Sequence, residues 1–309
     1  MSERALQQLV GALAIASGVW FVASVLSGGS GSIGASGKIS GFFDEIDDQS
    51  VSSLTMEIGT ATVELSHEAG TWTVNGFRAD PATIARLTAT FPNLEIGDLT
   101  ASNPDNHERM GVSGEHAVTV TFGFGGEQRT LIVGDNGRSF GTSFVRLPGA
   151  DEVYLLRGDL GANARRDESS WRDRTMATND SASIHRIVVE RTEGAYTLVR
   201  GDSAWTIDGS TVAAVRTITG VLGELSNLVA TGFLAETDSI ARLGSASVTR
   251  AFGENGQMLA EITVGSGEAD RWARTSSDDY LYRISSFRAG RIAPTHLHLI
   301  GRVAPTRRG

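Results

Sequence analysis

Trp72-Thr73-Val74-Asn75-Gly76 returns 133 residues later as Trp205-Thr206-Ile207-Asp208-Gly209, with similar sequence on both sides. The chain therefore reads as one module written twice. In each copy a Trp expected to be buried closes a short strand, an Asx-Gly turn follows, then an amphipathic helix and a hairpin. The spacing predicts an α+β fold: two tandem copies of a mostly antiparallel β-module with one main helix each, preceded by a single N-terminal transmembrane helix.

Outward from the first Trp, Val51–Ile58, Ala61–Ser66 and Thr71–Val74 are short Val/Thr/Ile-rich runs punctuated by Gly59 and Gly70, which predict a meander. Asp80-Pro81 supplies an N-cap and a proline at the first helical position, Ile84, Leu87 and Phe91 share one helical face, and Pro92 ends the helix. Residues 117–124 and 127–133 alternate around Gly125-Gly126 as a hairpin. In the second copy Ser210 is expected to cap a helix whose face carries Val212, Val215, Thr219 and Leu222, extended by Ile218 and Leu225. Asn255-Gly256 then takes the place of Gly125-Gly126 as a two-residue turn.

The expected divisions are a membrane anchor over 1–26, a Gly/Ser-rich tether with a lead-in segment over 27–50, module 1 over 51–164, a charged joint over 165–180, module 2 over 181–300 and a basic tail over 301–309. Leu9–Leu26 holds 18 uncharged residues, about 27 Å as a helix at ~1.5 Å per residue. That run exceeds the usual apolar core of a cleaved signal peptide, and Trp20 and Phe21 suit a membrane interface, so an uncleaved anchor is preferred with the cleaved signal as its rival. The body is expected outside the bacterial inner (cytoplasmic) membrane, single-pass. Ala14 and Gly18 form a small-xxx-small pair where another membrane helix could approach. Phe42 and Phe43 are expected to pack on the first module.

A chain of 309 residues, 40% hydrophobic and 20% charged, with a formal net charge of -9, has no clustered basic footprint for nucleic acid. Without cysteine there is no thiolate nucleophile, disulfide or Cys-based metal site. The glycines of Phe122-Gly-Phe-Gly-Gly126 lie between strands with no helix behind them, which argues against a phosphate loop. Asn103–Glu108 gathers oxygen and nitrogen ligands in one loop, and His296 and His298 would share a strand face; both are read as ordinary surface features rather than metal sites. Arg146 and Arg274 recur in equivalent places and are read as snorkelling strand residues, not an anion site. No catalytic, cofactor-binding or metal residue is expected, nor any cofactor. The joint residues Trp171, Arg172, Asp173 and Arg174 are the candidate partner contact, because Arg and Trp anchor interfaces; the other reading is an internal clamp in which Asp173 pairs an arginine.

The doubled order of Trp strand, helix, Met110-Gly-Val112 or Leu243-Gly244, an Ile/Val-Gly-ended hairpin, Phe144-Val-Arg146 or Trp272-Ala-Arg274, Val153-Tyr154 or Leu281-Tyr282, and the Trp-Arg-Asp-Arg joint resembles the DUF4340 family over Val51–Ile300. The resemblance implies an N-terminal membrane anchor and an envelope-facing repeat body, in some members encoded beside ABC-type transport systems. It implies no activity and carries over no catalytic residue. The chain departs from the family in its short, Gly-rich anchor and in lacking the usual Leu after Gly244.

The resulting expectation is a non-catalytic, membrane-anchored accessory subunit of a larger bacterial envelope complex, with membrane-protein partners such as a transporter and no nucleic acid. The alternative is an extracytoplasmic binder of sugar, peptide or lipid whose N-terminus is a cleaved signal peptide. A hydrolase using Asp105, His107, His296 or His298 would need those side chains to converge, and they fall in different modules.

Overall fold

The computed structural model describes residues 39, 41–234, 246–265 and 270–301. The anchor stretch with Ala14 and Gly18, the tether, Leu243-Gly244 and the tail from 302 lie outside the described residues. Among those described, no helix is long and apolar enough to cross a membrane.

The chain is mostly antiparallel β-structure with few helices. In order it forms β1 Val51–Ile58, β2 Ala61–Glu68, β3 Thr71–Val74, β4 Phe77–Arg78, α1 Pro81–Thr88, β5 Glu95–Ala101, β6 Val118–Phe124, β7 Glu127–Asn136, β8 Thr142–Arg146, β9 Val153–Arg157 and α2 Leu160–Ala164. After β10 Thr175–Thr178 come β11 Arg186–Arg191, β12 Gly194–Arg200, β13 Trp205–Ile207, β14 Thr211–Val212, α3 Val215–Ser226, β15 Asn227–Val229, β16 Gly232–Phe233, β17 Ala246–Phe252, β18 Met258–Gly265, β19 Asp270–Thr275, β20 Tyr282–Ser285, α4 Ser286–Ile292 and α5 His296–Leu299. Two large sheets result, ordered β4-β3-β2-β1-β6-β7-β8-β9-β5 and β14-β13-β12-β11-β17-β18-β19-β20-β16, and β10 pairs separately with β15. Place for place, the two strand orders are the same.

By compactness the chain divides into a first unit, residues up to 62 with 89–165, and a second, residues 63–88 with 166 onward. In the first unit β6 and β7 pair from Val118↔Val133 to Phe124↔Glu127, and Gly125 and Gly126 turn between them with φ of 55° and 84°. Leu54, Met56, Val118, Val120, Phe122, Leu131 and Val133 are buried. Phe42 and Phe43 do pack there: both stand edge-on to Phe122, at 6.4 and 5.9 Å between ring centres. Arg129 fastens this lead-in by donating from Nη1 to the carbonyls of Phe42 (2.9 Å) and Asp44 (2.6 Å).

In the second unit, Ile187, Val189, Leu198, Ala251, Ile262, Val264, Tyr282 and Ile284 line one face of the sheet and cluster with Ile218, Val221 and Leu225 of α3 and Ile292 of α4. Glu224, only 3% exposed, lies between Arg288 Nε (3.3 Å) and Arg291 Nε (3.4 Å). In the same unit α1 starts as expected, with the Thr83 amide donating to Asp80 Oδ1 at 2.6 Å, and it buries Ile84 and Leu87.

Several local expectations are corrected. Trp72 and Trp205 are half-buried rather than buried. Trp72 stacks on His67 at 4.9 Å with the planes 5° apart, and Trp205 lies under the Arg200 guanidinium at 5.1 Å. The second main helix does not start at Ser210: Thr211-Val212 pairs with β13, Ala214 caps α3 without a side-chain bond, and Val212 and Val215 are exposed. Asn255-Gly256 does not form a two-residue turn. Gly253 N donates to Gln257 O (2.9 Å), so three residues bridge the strands and Gly256 (φ 77°) holds the left-handed position of a bulged loop. His296 and His298 sit on α5, a four-residue helix, not on a strand. Thr295 nucleates that turn, its hydroxyl 3.0 Å from His298 Nδ1. Strand β5 has no alternating pattern because it is an edge, half open to solvent, and its pairing with β9 is broken by irregular register.

Candidate functional site

The turn after each Trp is built alike. The Asn75 amide donates to Glu64 O (2.9 Å) and its Oδ1 accepts from Glu64 N (2.7 Å). Asp208 does the same with Thr197, at 2.8 Å both ways. An Asx side chain thus stands in for a backbone acceptor and continues the ladder past the strand end, and Asn and Asp tolerate the φ of 47° and 48° found here.

Beyond the first of these turns lies a cluster of charged and aromatic side chains of the second unit, assembled around the joint. Residues 171–173 run beside β4: Asp80 N donates to Trp171 O (2.7 Å), Asp173 N donates to Arg78 O (2.8 Å), and Ala79 and Arg172 form an antiparallel bridge. The Arg172 guanidinium is held between the rings of Phe77 (3.6 Å to the centre) and Phe233 (3.7 Å), with Tyr280 at 5.1 Å. Its side chain is 12% exposed, and Nη1 reaches Glu168 Oε1 at 3.3 Å. Tyr280 stands edge-on to Phe77 (5.6 Å) and to Phe233 (6.1 Å), and its hydroxyl accepts from Arg78 N (2.9 Å).

Arg78 runs alongside. Its Nε donates to Asp173 Oδ2 (2.7 Å), its Nη2 to Thr175 O (3.0 Å), and Asp278 Oδ2 is 3.7 Å from Nη2. Burial works against its charge, but Asp173, through both charge and hydrogen bond, together with Tyr282 and Asp278, outweighs burial and holds the guanidinium above its ordinary range. Tyr282, whose hydroxyl donates to Asp278 Oδ2 (2.8 Å), is pushed up, by burial first and then by that bonded carboxylate. The phenol is therefore neutral near pH 7 and the arginine is charged, an arrangement that holds segments together.

Of the four joint residues, Trp171 is fully buried, Arg172 fills the aromatic slot, Asp173 binds Arg78, and Arg174 is exposed. Arg146 is not a surface residue reaching over its neighbours. Its Nε donates to Val112 O (2.9 Å) and burial lowers its pKa. Arg274 is half-buried, with Asp279 at 3.7 Å. Asn103, Asp105 and Asn106 are engaged in their own turn: Asn103 Oδ1 accepts from Asp105 N (3.0 Å) and Asn106 Oδ1 from Arg109 (2.7 Å). His107 Nε2 lies 2.9 Å from Asp151 O. Among the described residues no three His, Cys, Asp or Glu converge as a metal site. Phe77, Arg78, Phe233, Asp278 and Tyr280 went unremarked in the sequence, where they fall in three separate segments; only the charge density of the joint pointed toward them.

A family model described as a domain of unknown function, DUF4340, matches residues 72–246, more than half of the chain. The protein belongs to the DUF4340 family. The matched span opens on the first Trp and runs through the joint and the second Trp-Thr-Ile-Asp-Gly. No curated protein and no solved structure matches this DUF4340 chain.

Proposed function

We propose that this protein is a non-catalytic, membrane-anchored accessory subunit of a larger bacterial envelope complex, with an ABC-type transport system as the machinery it serves. Its body is a tandem duplication of one β-module with a main helix in each copy, displayed outside the inner membrane. The observation that carries the proposal is the repeated strand order, built twice from the same Asx-closed ribbon. Duplication of a β-rich scaffold multiplies docking surface, and the polar groups it concentrates at the joint serve cohesion rather than proton transfer. The uncharged stretch Leu9–Leu26 followed by a Gly/Ser spacer supports the anchor. Partner contact is assigned to the joint, where Arg174 is exposed, and to Ala14 and Gly18 for a membrane helix.

The test is extraction from native membranes in mild detergent, followed by identification of whatever migrates with the chain at fixed stoichiometry. A membrane partner that persists through purification is the expected result. A lone monomer lacking the residues before Gly28 overturns it and makes an extracytoplasmic ligand binder the working reading. Thermal shift against sugar, peptide and lipid pools then tests that reading, since a ligand bound only to the folded state raises stability by mass action.

A further inference from the structure

We infer that residues 168–173 form a releasable strap, closed when Arg172 fills the slot formed by Phe77, Phe233 and Tyr280. It is held by the two backbone bonds to Arg78 and Asp80, the Arg78–Asp173 ion pair, the Asn75 Nδ2 bond to Glu168, the buried Trp171 ring and the guanidinium between two rings. Two features oppose it. The indole Nε1 of Trp171 and Nε of Arg172 are both buried and find no hydrogen-bond partner among the described residues. A buried donor left unsatisfied costs free energy that water returns when the segment opens. This strap leaves two donors unpaired and keeps its guanidinium in place by a cation–π contact, which another guanidinium can replace. The strap, the slot and strands β11, β12, β17 and β18 lie in one compact unit, and the strap's two backbone bonds to Arg78 and Asp80 are no part of the pairing among those strands. The slot itself, two rings whose centres lie 3.6 and 3.7 Å from the guanidinium carbon with a third at 5.1 Å, is a receptor for a planar cation that the chain fills with its own side chain.

The inference stands independently of the accessory-subunit reading. Its test is hydrogen exchange, residue by residue, on the full chain with Arg172→Ala and Arg172→Lys. In R172A the amides of Asp80 and Asp173 are expected to exchange about tenfold faster or more, from the loss of a desolvated cation–π contact, while those of Leu198 and Ile262 keep their rates. R172K keeps the charge and loses the planar stack, so it falls between wild type and R172A, and it supplies the readout should R172A fold poorly. Low-millimolar ethylguanidinium is expected to slow Asp80 and Asp173 again in R172A, relative to sodium chloride at equal ionic strength, and not in R172A/F77A. Equal acceleration at all four amides, unchanged rates at Asp80 and Asp173, or no difference between ethylguanidinium and sodium chloride would each overturn the inference.

Discussion

In the β3–β4 ribbon the strand after the turn carries Phe77 and Arg78, paired with Val74 and Thr73; in the β13–β14 ribbon the same places, paired with Ile207 and Thr206, are held by Thr211 and Val212. Phe77 and Arg78 are half-buried against the joint, whereas Thr211 and Val212 are both exposed. Both turns begin with a bracketed Asx residue, though the second adds Ser210, whose amide donates to Ile207 O (3.1 Å). Equal turns followed by unequal strands separate two levels of determination. Four or five residues suffice to close a ribbon; what the ribbon supports depends on which distant segment lies beside it.

Replacing Trp171 by Ala gives the largest expected effect. A fully buried indole is lost, costing about 3–5 kcal/mol in urea unfolding. If the comparison holds, amide protection falls first in Thr73–Ala79 and survives at Trp205–Ile207. Uniform loss across both ribbons would break it. Phe77→Ala comes next at about 2 kcal/mol, from a half-buried ring and its cation–π contact. Its positional counterpart Thr211→Ala stays within about 0.5 kcal/mol, as exposed positions do.

Exchanging the bracket residues sharpens the comparison further. Asn75 Nδ2 donates to Glu168 Oε2 at 2.9 Å. Asn75→Asp removes that donor and sets two carboxylates together, an expected loss of about 0.5–1 kcal/mol that shrinks in high salt. Asp208→Asn keeps its Thr197 bracket and is expected to change stability by no more than about 0.3 kcal/mol. Equal losses would mean that the turn, not the joint, sets the difference.

The smallest effect is a pH dependence at the strap's first turn. The Asp167 carboxyl is held below its ordinary value of 3.8 chiefly by the Ser170 hydroxyl, with partial burial opposing and the Ser170 amide and Ser169 hydroxyl adding. A carboxyl lowered by folding stabilises above its unfolded value, and that stabilisation is lost as pH falls through the folded value. The stability difference between wild type and Asp167→Asn should therefore be flat near neutrality and shrink below about pH 4, read by urea unfolding at a series of pH values. A difference that grows on acidification would contradict the assignment.

Local chemistry made much of the fold legible. Asp80-Pro81 announced α1, Gly125-Gly126 announced the β6–β7 hairpin, and the doubled Trp-Thr-(Val/Ile)-Asx-Gly announced two ribbons, because caps and turns are decided within a few residues. Strand β5 stayed hidden since an exposed edge needs no alternation, and Asn255-Gly256 misled because a bulged three-residue loop uses the same residues as a tight turn. The α5 histidines misled for a similar reason: Thr295 can cap a helical turn, and spacing by two does not distinguish that from a strand.

The sequence by itself determined that the chain is mostly antiparallel with few helices and that the Trp-Thr-(Val/Ile)-Asx-Gly stretch closes a ribbon twice, since each of those properties is carried by neighbours in the chain. Only the tertiary structure decided that Arg172 lies between Phe77 and Phe233, that Asp173 pairs with Arg78, and that Glu224 is buried between two arginines. Cation–π and ion-pair partners separated by 61 to 95 residues leave no periodic trace along the chain. Such partners are selected by the shape and dielectric of the place where the segments meet, and that place exists only once the sheets have formed.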